Sequence, residues 1–227
     1  MIRLIVSEQG AGLSVTGVWV VGALPDEKAR DLLRTAVPDS PWAPVPTHRD
    51  ASAELAWWRS TAQSPLFSVS KSWPGGWVVD DDAFRLSAFL DTCYDESEHA
   101  ETLRDTVMDL FPREAGESLF AATARKAGPF SALAYALGPD STLRLPGRFG
   151  EFLLDAGHVR AELPAAEEAL ALTGARRRDA VERIRAWMTG LGDAPAHDAD
   201  ELLDGPLRIL HHAAHTGQGA AGVVRWY

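Results

Sequence analysis

The spacing of apolar residues changes along this chain, and that change limits the fold more than any bulk property does. Residues 2–6, 14–21 and 219–227 are short runs of branched and small apolar side chains, the pattern of strands. The stretches between them recur every three to four residues, the period of amphipathic helices. Strands near both ends with helices between them imply an α+β fold. We expect two packed α/β subdomains with small, largely antiparallel sheets and predominant helices. They are 1–137, with a Trp-rich hairpin and acidic helices, and 148–227, joined by the Pro- and Gly-bearing connector 138–147.

Local signals place the elements. Residues 2–6 and 14–21 read as a hairpin around 7–12, and Asp26 can cap a helix reaching Thr35. A second helix over 51–62 turns Leu55, Trp58 and Ala62 inward. Residues 66–73 alternate, with Phe67, Val69 and Trp73 on one face; Pro74, Gly75 and Gly76 reverse the chain, and 77–79 return as the partner strand. Beyond Asp80, the spacing of Phe84, Ala88, Phe89 and Cys93 predicts a buried helical stripe. Asp95 with Glu98 forms a possible capping box for a helix ending near Phe111, with Ala100, Leu103, Val107 and Leu110 inward. Residues 114–137 read as helical with a break at Gly128 and Pro129. A strand over 149–154, helices over 164–172 and 175–191, and a last helix capped by Asp204 and ending at Gly217 complete the expectation.

Charge narrows the function classes. The net formal charge is −10, and residues 80–117 hold twelve acids against Arg85, Arg104 and Arg113. A negative field of that kind repels phosphate backbones, so nucleic acid is not an expected partner despite Arg176, Arg177 and Arg178, which point in three directions on a helix. No run approaches the roughly 18 apolar residues of a membrane span, and residues 1–9 lack a signal-peptide pattern, so a cytoplasmic protein without a membrane partner is expected. Cys93, the sole cysteine, has no thiol to pair with.

The short motifs carry little chemistry. Gly217, Gly219 and Gly222 match a dinucleotide-loop spacing, but a helix precedes them where that mechanism needs a strand. Ser68 and Lys71 form S-x-x-K without the accompanying S-D-N and K-T-G motifs, and Cys93 with His99 sits in an acidic segment that disfavours a thiolate. His211 and His215 lie four residues apart and could share a metal with a third ligand from Asp198, Asp200 or Glu201, although the spacing also suits charges near a helix C-terminus. The chain has eight tryptophans; adjacent Trp57 and Trp58 project about 100° apart on a helix, so at least one of them should be substantially exposed.

On the predicted helix 98–111, Glu101, Asp105 and Asp109 fall on one stripe with Glu98 at its start, and no local base lies in line with them. The leading expectation is therefore a non-catalytic interaction protein, of inhibitor or immunity type. Glu98, Glu101, Asp105, Asp109 and Trp57 would meet a basic protein partner, and no cofactor is called for. The alternative is a metal-dependent enzyme or small-molecule binder with its site near His211 and His215.

Overall fold

The computed structural model describes residues 16–35, 49–62, 64–71, 76–91, 94, 97–114, 116–125, 128–191 and 198–227. The expectations placed on residues 2–6, Trp73, Pro74, Gly75, Cys93 and Asp95 lie outside these residues. The fold is α+β, with a four-stranded and a two-stranded antiparallel sheet.

Strand β1 (Thr16–Leu24) is apolar almost throughout because both of its faces are covered. It lies between β4 (Leu119–Arg125) and β6 (Gly219–Trp226), with β5 (Phe152–Leu154) outside β6. Val20 stands opposite Ala121 on one side and Val223 on the other. Trp19, Val21 and Ala23 point into the larger core, which also takes the buried faces of α5 (Pro129–Leu137), α7 (Ala156–Leu170), α8 (Gly174–Gly190) and α9 (Glu201–Thr216). Val20 and Leu24 point the other way, onto Ala29 of α1 (Asp26–Thr35) and Leu103 and Val107 of α4 (Glu98–Leu110). Helices thus cover both faces of the sheet. Helix α2 (Arg49–Thr61), the β2 (Phe67–Val69) and β3 (Trp77–Val79) hairpin, and α3 (Asp81–Asp91) extend the larger core through Trp58, Phe67, Val79 and Phe89. The segment 138–147 carries the short helix α6 (Pro139–Thr142), and strands from both sides of it share the four-stranded sheet.

Several elements depart from the sequence reading. Residues 119–125, expected as helix, form β4. Its alanines have helical propensity, but burial alternates strictly, with Phe120, Ala122 and Ala124 inward, and pairing to β1 overrides propensity. In α3 the buried stripe is Ala83, Leu86, Phe89 and Leu90, which leaves Phe84 43% exposed. Val69 is 65% exposed because β2 is only three residues long and Val69 lies at its far end, opposite half-buried Trp77. The N-cap of α4 is Ser97, whose hydroxyl accepts from Ala100 N at 3.2 Å. Helix α7 begins at Ala156 rather than 164, because the Asp155 carboxylate accepts from the Gly157 and His158 amides, both at 2.8 Å; Pro164 lies inside the helix. Helix α9 begins at Glu201, so Gly205 and Pro206 sit within it. A Cβ on Gly205 would come within 2.1 Å of Phe120 Cδ2, so the glycine lets α9 approach β4.

Candidate functional site

The acidic stripe on α4 is only partly free. Glu98, Asp105 and Asp109 are exposed, with Thr102 and Thr106 between them. Glu101, in contrast, is drawn toward the protein: Arg225 Nη1 lies 3.0 Å from its carboxylate, Arg104 Nη1 donates to it at 2.7 Å and the Tyr94 hydroxyl at 2.8 Å. Arg225 also pairs with Asp105. The sequence reading found no base along this stripe; tertiary structure supplies one from β6, at the position paired with Val18.

Behind Glu101 lies a charge pair without access to solvent. The Arg104 side chain is fully buried and Glu151 is 4% exposed. Arg104 Nε and Nη2 donate to the two Glu151 oxygens at 2.5 and 2.9 Å, a bidentate geometry, and its guanidinium carbon lies 3.9 Å from the Tyr94 ring centroid. Burial pushes the Glu151 carboxyl above the usual range, against the opposing pull of Arg104. Burial, then the hydrogen bond to the Glu101 carboxylate, likewise raises the Tyr94 phenol well above its ordinary value, so Tyr94 stays a donor.

Glu151 reaches this position through a tight turn. Arg148 and Glu151 exchange both backbone hydrogen bonds, N to O at 2.7 and 3.0 Å, around Phe149 and Gly150 at φ of 44° and 93°. Positive φ at both central residues defines a type I′ hairpin turn, where asparagine or glycine is usual at the first position. A phenylalanine there carries strain of about 1–3 kcal/mol. Two contacts hold it: Trp19 Nε1 donates to Gly150 O at 3.1 Å, and the Phe149 ring meets Phe89 edge-on at 5.6 Å.

Beside the turn is a small, shallow cleft open to solvent. Leu90, Tyr94, Phe130, Phe149, Val224 and Trp226 form its apolar lining, and Asp91, Ser131, Arg148 and Glu151 bring polar groups to it. Sequence reasoning assigned nothing to Arg104, Arg148, Glu151 or Arg225. A signal for Arg104 existed, since it falls between inward Ala100, Leu103 and Val107 on the helical period. Another was Arg225, a cation in an otherwise apolar strand.

The remaining sequence candidates lie apart from this cluster. Trp58 is buried, edge-on to Phe89 at 6.2 Å, while Trp57 is half-buried beneath Arg85, whose guanidinium carbon lies 4.1 Å from the indole centroid. Neither indole is substantially exposed, because Trp57 packs against the same core as Trp58 and Arg85 covers its face. Arg85 is fixed in turn by Glu54, with two contacts of 2.9 Å. His211 and His215 are both exposed, and His211 Nε2 lies 3.3 Å from Glu167 of α7. Asp200 and Glu201 sit at the opposite end of α9, about 15 Å from His211 and about 20 Å from His215 along its axis. Among the described residues no three His, Cys, Asp or Glu side chains are grouped as a metal site would need, and no helix is long and apolar enough to cross a membrane. No family model, no curated protein and no solved structure matches the chain.

Proposed function

We propose that the protein acts by binding a basic protein partner through the outer face of α4. The observation that carries this reading is the exposure of Glu98 and Asp109, and of Asp105 beyond its pair with Arg225, on one helix whose only arginine, Arg104, is buried inward. Glu101 belongs to the support rather than to the contact. Its links to Arg104, Tyr94 and Arg225 tie α4 to β6, so the outer carboxylates are presented on a fixed helix. A rigid acidic face raises the association rate of a basic partner and makes it salt-sensitive. Trp57, which packs with α2 against the core on the other face of the sheet, is left out of that contact.

The test is recovery of a partner from native cell extract at low and high salt, by the wild-type chain and by Glu98→Gln, Asp105→Asn, Asp109→Asn combined. We expect a basic protein retained at low salt, released at high salt, and lost at least tenfold in the variant at unchanged melting temperature. Recovery that ignores both salt and the substitutions would sink the proposal.

A further inference from the structure

We propose that the cleft between the 148–151 turn, the start of α5 and the end of β6 binds a small organic anion, a carboxylate carried on a flat apolar group. The binding group is Arg148. Its Nε is buried without a hydrogen-bond partner, and among the described residues its guanidinium forms no ion pair. Arg104 and Arg225 each pair with two carboxylates a short distance away. Arg148 lines the cleft, so the free guanidinium charge stands beside it.

The surroundings agree with an anion rather than a cation. Glu151, the carboxylate facing Arg148 across the turn, is already committed bidentately to Arg104. Asp91 also lines the cleft and accepts from the Ser87 hydroxyl at 3.5 Å. Helix α5 begins at the cleft with Gly128 as N-cap, which offers no side-chain acceptor, and Pro129 next. The amides of Phe130 and Ser131 are among the donors that a helix start leaves without intrahelical partners. A Cβ at Gly128 would press on Trp226 at 3.3 Å and on Ser131 Oγ at 2.9 Å, so the glycine keeps indole and helix start in contact. Trp226, Phe130 and Phe149 provide flat apolar walls that inorganic anions would not use. Phe149 and Arg148, neighbours in the turn, both line the cleft.

Calorimetric titration of the full chain with 2-naphthoate, its neutral amide and inorganic phosphate tests this, with amide chemical shifts followed in parallel. The expected result is one-site binding of naphthoate at sub-millimolar concentration, with the amide and phosphate at least tenfold weaker. The largest shifts should fall at residues 128–131 and 148–151. Arg148→Gln should lose tenfold or more, and Arg148→Lys should recover part of it. The inference is overturned by no binding of naphthoate at millimolar concentration, by equal binding of the amide or phosphate, or by shifts centred elsewhere. The ligand comparison and the shift map stand on the wild-type chain, so they decide the matter even if an Arg148 variant folds poorly.

Discussion

Arg104 and Arg177 each hold two carboxylates, and they do it in opposite solvents. Arg104 on α4 is fully buried and binds Glu151 and Glu101; Arg177 on α8 is 28% exposed and binds Asp200 and Asp204 with contacts of 2.6–3.1 Å. In distance the two clusters are nearly alike. What differs is the cost of leaving water, which is several kcal/mol per ion for the buried group and small for the exposed one. The carboxylates around Arg177 raise its pKa further, but at the surface that preference has little weight in stability. Burial turns the first cluster into an all-or-none unit, while exposure leaves the second a set of weak restraints.

The largest effect should come from splitting the buried pair. Arg104→Met leaves Glu151 charged, buried and without its bidentate partner, and should cost about 3–5 kcal/mol in denaturant unfolding. Adding Glu151→Leu removes the stranded charge and should restore at least half of that loss. If the double variant is as unstable as the single one, the cluster's contribution comes from packing and hydrogen bonding, and its contrast with Arg177 is not one of desolvation.

An intermediate effect is expected at Asp155, a carboxylate that matters for the backbone it satisfies rather than for an ion pair. Asp155→Ala should cost about 1 kcal/mol, the usual loss of an N-cap. The His158 amide, more than any other group, holds the Asp155 pKa below its ordinary value. A folded-state pKa below the unfolded one means that the stabilisation is complete above the ordinary aspartate range, near pH 4. It fades as pH falls through the depressed folded value. The difference in melting temperature between wild type and variant should therefore narrow on acidification; a constant difference would remove the charged cap as its cause.

The smallest effect is expected at the exposed cluster. Arg177→Gln should change stability by about 1 kcal/mol or less, and added salt should shrink the difference further. A loss comparable to that of Arg104→Met would collapse the comparison and show that the α8 to α9 contact depends on this arginine.

Much of the secondary structure was legible because its causes are local. The period of Leu103 and Val107 defines α4, the Pro74 to Gly76 turn signal announced the pairing of Phe67 with Val79, and Gly217 ends α9 at a φ of 70° before β6 begins. Helix starts were less legible. Caps at Asp155 and Ser97 and a proline tolerated inside α7 compete with other polar residues nearby, and only the surrounding packing selects among them. Strand β4 was missed for a related reason: small alanines suit either period until a partner strand claims them.

By itself, the sequence determined most of where the chain is apolar at a strand's or a helix's period, and that acids concentrate in residues 80–117. Tertiary structure alone decided which of those acids are answered by bases. Arg225 reaches Asp105 across 120 positions, and Arg104 reaches Glu151 across 47. Periodicity arises between neighbours a turn or a pleat apart. Charge pairing depends on which surfaces the packed sheet brings together, and no local pattern in either partner records that.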